Sequence, residues 1–191
     1  NFFKIYNYFT RLKYKKFYNK CKPIIDKIKY FDKKYNSFDK IQIKNNTKIF
    51  FKRFKKGETL DQLLPEAFAT VINAAKRLKD TKVNVLGRSI IWDMIPYETQ
   101  IIAAIALHKN KIAQMQTGEG KTLAATMPLY LNSITGKNCQ LATINEYLAK
   151  RDSEWMGYLY NYLGLSVGYV NSEMSNQEKI LAYSTNITYS T

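Results

Sequence analysis

Between residues 65 and 78 the apolar positions Phe68, Val71, Ile72, Ala75 and Leu78 recur at three and four, the period of one helix face. Gly57 breaks the pattern before it, and the stretch from Thr59 to Leu64 leads into Pro65, a residue at home in a first helical turn. Val83, Val85, Ile90 and Ile91 gather around Gly87 and predict a short hairpin within Asp80 to Met94. Pro96 opens a helix through Tyr97, Gln100, Ile101, Ala104 and Leu107 that ends near Lys109 and Asn110. From there strand and helix alternate. Lys111 to Met115 predicts a strand, Leu123 to Asn132 a helix stopped by Gly136, and Asn138 to Thr143 a strand. Tyr147 to Leu163 predicts a helix, Ser166 to Val170 a strand, Ser175 to Tyr183 a helix, and Ile187 to Tyr189 a strand. Such alternation means parallel strands joined by helical crossovers, an α/β fold with helices on both faces of the sheet and phosphate sites at the carboxyl ends of the strands. The chain has no initiator methionine and stops as a strand finishes, so both ends are expected to be cut and the sheet open.

At the front, Phe2, Ile5, Phe9 and Leu12 form a helical stripe with lysine and arginine between them, and Pro23 is expected to end or kink that helix near Lys22. Charge separates this region from the rest. Residues 1–56 hold 18 Lys/Arg against 3 Asp/Glu, whereas residues 57–191 hold 12 of each, so the whole net charge of +15 lies in the first part. The division expected is a basic amphipathic helical extension over 1–56 and a nucleotide-binding domain over 57–191. A basic amphipathic face suits anionic lipid or nucleic-acid phosphates, and biased coding yields a similar composition.

At 191 residues and 46% hydrophobic the chain can bury one real core with an appendage. It contains neither an apolar run long enough to span a bilayer nor a secretory signal pattern. Cys21 and Cys139 lie far apart, without a C-x-x-C partner and with only His108 to assist, which argues against metal and fits structural thiols in a reducing compartment.

The chemistry concentrates at Thr117-Gly118-Glu119-Gly120-Lys121-Thr122, between a predicted strand and a predicted helix. A phosphate-cradling loop wraps its ligand in backbone N–H groups, neutralises it with a lysine and reaches Mg²⁺ with a hydroxyl. Gly120, Lys121 and Thr122 fit the pattern G-x-x-x-x-G-K-[ST], but Met115 stands at its first position, leaving the compact form found in helicase-like motors. Backbone donors are expected from Gly118, Glu119 and Gly120, phosphate neutralisation from Lys121, and the Mg²⁺ contact from Thr122.

The stretches KGETLDQLLPEAFATVINAAKRL, MIPYETQ through GLSVGYV, and AYSTNITYST, together about residues 55–191, resemble the motor domain of the SecA family of preprotein translocase ATPases. TGEGKT is shared by many motors; LPEAFA and TINEYLAKRDSEWM are specific to the family. The first 50 residues match only loosely. The resemblance implies a RecA-like, helicase-type lobe that uses ATP and Mg²⁺, and places Gln100 on the glutamine of the adenine motif, where an amide can both accept from and donate to the base. Met94 and Tyr97 fall where the family packs the base, although a helix start would use them equally. Asn145, Glu146, Arg151 and Asp152 lie where related helicases touch their polymer; helix capping by Asn145 and solvated charge for the others serve as well.

The resemblance further implies the SecYEG channel, preproteins and anionic phospholipid as partners, a homodimer in full-length relatives and no specific nucleic acid. The implied location is the cytoplasm and the cytoplasmic face of the bacterial inner membrane. The family's acidic motif, second motor lobe and metal-binding tail would follow residue 191, so no zinc site and no catalytic carboxylate is expected here, and nucleotide binding without turnover is. A superfamily 2 helicase lobe would instead carry a Pro-Thr-Arg-Glu-like run where Thr143-Ile144-Asn145-Glu146 stands, and a truncated gene product would bind at most membrane or nucleotide.

Overall fold

A computed structural model describes the backbone from residue 2 and the side chains from residue 14. The stripe Phe2, Ile5, Phe9 and Leu12 therefore has its side chains outside the described residues. Seven helices and five strands are described: α1 (Phe2–Tyr35), α2 (Lys40–Lys55), α3 (Leu60–Leu78), β1 (Lys82–Val85), β2 (Arg88–Ile91), α4 (Glu98–His108), α5 (Lys121–Ser133), β3 (Cys139–Ala142), α6 (Glu146–Tyr162), β4 (Val167–Tyr169), α7 (Asn176–Tyr183) and β5 (Ile187–Ser190).

The centre of the molecule is α3, with thirteen of its 19 residues buried, far more than the stripe of a surface helix provides. It packs against α1, α2, α5 and α6. Thr59 and Gln62 cap it reciprocally, so the helix begins at Leu60 and Pro65 falls in its second turn instead of its first. Pro23 likewise does not end α1, which runs on to Tyr35. A proline inside a helix costs about 3 kcal/mol. Past it, Ile25, Ile28 and Tyr35 are buried in the same apolar cluster as α3, and the burial of each large side chain returns about 1.5–3 kcal/mol. The packing therefore outweighs the proline.

The predicted hairpin forms as β1 and β2, with Val85 opposite Arg88 and Leu86 and Gly87 both at positive φ, the two-residue turn whose twist suits antiparallel strands. The second sheet is parallel with order β3-β5-β4, and Ile187, Thr188 and Tyr189 of its central strand are fully buried. Helices α5, α6 and α7 pack on it. One expected strand is absent: residues 111–116 run without regular structure, and Ile112 is 98% exposed. A strand exists only with a ladder partner, and no described strand lies alongside this one.

Two clasps tie α4 to its neighbours. Asp61 of α3 accepts from Lys109 and pairs with His108, each at 2.7 Å. Glu98 accepts from Lys29 at 2.7 Å and Tyr18 at 3.1 Å, joining α1 to α4; these two bonds hold its carboxyl below the ordinary glutamate range. A depressed carboxylate contributes stability above its unfolded value and loses it as pH falls through the folded one. Glu98→Gln should therefore lower stability by a few tenths of a kcal/mol at neutral pH and by nothing in acid, read from urea melts at both pH values.

Candidate functional site

The connection from α4 to α5 forms a tight turn at Thr117 and Gly118, and Gly118 (φ 87°) and Gly120 (φ 74°) both take the left-handed conformation that favours glycine. Gly120 is the N-cap of α5, so the first amides of that helix stand at the end of the loop without intrahelical partners. Unpaired amides and the helix dipole together suit an anion. Lys121, at the start of α5, is exposed and turns back across the loop, its Nζ donating to the carbonyl of Gln116 at 2.7 Å.

Two groups hold the loop from α4. The Nε2 of Gln100 donates to the carbonyls of Glu119 at 3.0 Å and Gly120 at 3.4 Å, and the Tyr97 hydroxyl donates to Glu119 at 2.9 Å. Gln100 is only 2% exposed, and its Oε1 also accepts from the N–H of Tyr97 at 3.1 Å, capping α4. An amide oxygen has two lone pairs and an amide nitrogen two hydrogens, so this arrangement uses both hydrogens and leaves one lone pair. The loop fits closely here: a Cβ on Gly120 would stand 2.2 Å from Gln100 Nε2. Met94, the remaining residue expected at the base, is partly buried against the apolar core, and its carbonyl accepts from the indole N–H of Trp92 at 2.9 Å.

Thr122 donates through its hydroxyl to Asp152 Oδ2 at 3.2 Å. Asp152 is 5% exposed and is gripped by the Arg151 guanidinium at 2.6 and 2.8 Å. Solvated charge is thus the wrong description of Asp152, which lies buried beside the loop. The signal for this was in the sequence: Ala149, Asp152, Met156 and Leu159 share the buried face of α6, so a carboxylate interrupts an apolar stripe. Asn145 caps α6, accepting from Leu148 N–H at 2.9 Å, and Glu146 accepts from Ser172 N–H at 2.6 Å, which draws its carboxyl below the usual range. Neither reaches the loop through a described hydrogen bond.

Parallel strands joined by helical crossovers, with a glycine-rich turn opening a helix that packs on them, make this an α/β lobe. Residues 6–191 match the profile of the SecA DEAD-like domain. The chain is 44% identical over 172 residues to the protein translocase subunit SecA of Chlamydia felis and 48% identical over 172 residues to that of Acetivibrio thermocellus; each match covers 90% of this chain and 18% of the relative. A match to the same subunit of Chlamydia trachomatis, at 44% identity, covers 88% of this chain and 17% of the relative. The chain belongs to the SecA family. It spans less than a fifth of the length of these curated relatives.

Proposed function

We propose that this chain binds ATP with Mg²⁺ at the Gly118 to Thr122 loop, as the nucleotide-binding part of a protein translocase motor. In the whole protein, ATP binding and hydrolysis would drive preproteins through a SecYEG channel at the cytoplasmic face of the membrane. Supporting this reading is the conjunction of two left-handed glycines, the unpaired first amides of α5 and the Lys121 ammonium at one helix N-terminus. The amides of Gly118, Glu119 and Gly120 and the Lys121 ammonium would hold phosphate oxygens, while the Thr122 hydroxyl, backed by Asp152, would hold the metal. Bound Mg²⁺ neutralises charge on the outer phosphates. For Gln100 to read adenine, its Nε2 has to give up Glu119 or Gly120, while its Oε1 has a lone pair to offer the base amino group.

Calorimetric titration tests this reading. The wild-type chain should prefer ATP over GTP, and Gln100→Ala should erase the preference while general triphosphate affinity largely survives; an equal loss for both nucleotides would remove Gln100 from the base. For residues 1–56 we propose contact with anionic lipid, carried by the basic residues around Phe2, Ile5, Phe9 and Leu12. Flotation on anionic vesicles should weaken steeply with salt and drop when residues 1–20 are removed, since lipid attraction is about 1 kcal/mol per basic residue and screened by ions. Equal flotation of both chains would refute it. No described helix is long and apolar enough to cross a membrane.

A further inference from the structure

Lys44, Lys48, Lys52 and Lys55 repeat at four, four and three along α2, lining one flank of the helix over about 17 Å. Like charges at these spacings destabilise a helix by about 0.2–0.5 kcal/mol a pair. Among the described residues none of the four enters an ion pair, whereas Arg53 of the same helix takes both Glu58 at 2.6 Å and Glu66 at 2.7 Å. The repulsion is therefore not offset within the described chain.

Beside this flank lies a cleft of about 660 Å³ between α2 and the C-terminal ends of α5 and α6. Lys48, Lys52, Lys55 and Lys56 form its rim, the half-buried Phe51 is its accessible apolar side chain, Ile134 and Leu165 are buried in its floor, and among the described residues no carboxylate lines it. The Lys55 ammonium stands 4.6 Å above the Phe51 ring. The cleft sits at the opposite end of α5 from the phosphate loop, about 18 Å away along the helix. A small anion would engage one or two of these lysines. A row of them from Lys48 to Lys55, over about 11 Å, with apolar surface alongside, matches a chain that carries several charges and an apolar group between them.

We propose that this cleft docks an acidic protein segment, several Asp or Glu residues flanking an aromatic or branched aliphatic side chain. The carboxylates meet Lys48, Lys52 and Lys55, and the apolar side chain rests on Phe51, above the floor of Ile134 and Leu165.

The probe is the fluorescently labelled peptide Glu-Glu-Phe-Glu-Glu-Leu-Glu-Glu, followed by anisotropy against the full chain. Saturable binding is expected, weakening with salt. The triple variant K48Q/K52Q/K55Q should bind about tenfold more weakly or worse, while K27Q/K33Q/K34Q, matched in charge but on α1, stays within about twofold of wild type. Thermal melts establish that both variants fold. A probe with Ser in place of Phe and Leu should also bind several-fold more weakly. Equal loss in the two triple variants, or equal affinity of the Ser probe, would overturn the proposal in favour of unspecific charge. No binding of the probe overturns it as well, and so does displacement of the peptide by laurate or by an oligonucleotide of equal charge that binds more tightly.

Discussion

Lys121→Ala is expected to lower the affinity for MgATP by about 100-fold or more while leaving the melting temperature of the chain unchanged. The first half follows from charge. A hydrogen bond to an ionised group is worth about 1.5–3 kcal/mol, and one such contact at the upper end of that range is roughly 100-fold in affinity. The second half follows from exposure: the Lys121 side chain is on the surface and touches its own loop through the single bond to Gln116, and surface substitutions of this kind shift stability by no more than about 0.5 kcal/mol. Calorimetry with ATP and a thermal melt on the same sample check both. A variant that binds as wild type would remove the phosphate role of Lys121, and one that melts early would assign the residue to the fold.

Gly120→Ala should destabilise the chain by about 1–3 kcal/mol, although it adds one methyl group to a loop. A left-handed non-glycine residue costs roughly 1–2 kcal/mol, and here the new Cβ would also meet Gln100 Nε2 at 2.2 Å. Gln100 could yield only by surrendering the Glu119 carbonyl and the cap on α4. In the Gln100→Ala background the collision disappears and only the backbone term remains, so the two substitutions should be non-additive, with the double variant more stable than the sum of the singles. Denaturant melts of the four proteins give the coupling. Strict additivity would mean that the loop relaxes away from α4 at no cost.

Much of this site was legible from residue order. The loop and α5 were placed by glycine, lysine and threonine at fixed offsets, and β3, α6, β4, α7 and β5 fall within a residue or two of their expected bounds, because each turn between them carries Gly, Asn or Ser and each helix its apolar spacing. Local pattern fixes local conformation. It does not fix partnership, and the differences are of that kind. Residues 111–115 have the composition of a strand and lack a ladder neighbour. Pro23 reads as a stop or a kink, and the burial of Ile25 and Ile28 carries α1 past it, so the stop does not occur. The front region reads as one basic arm, while Ile43, Asn46 and Phe50 bury a separate helix, α2, beneath its lysines. The contacts of Thr122 with Asp152 and of Gln100 with Glu119 span 30 and 19 residues, and only the fold brings those groups together.

The most direct test of nucleotide binding at this loop is a crystal structure of the chain grown with MgADP. Phosphate oxygens are expected at the first amides of α5, with the Lys121 ammonium moved from the Gln116 carbonyl onto them and Gln100 released from Glu119 toward the base. Nucleotide bound elsewhere, or bound while Lys121 and Gln100 keep their present partners, would contradict it.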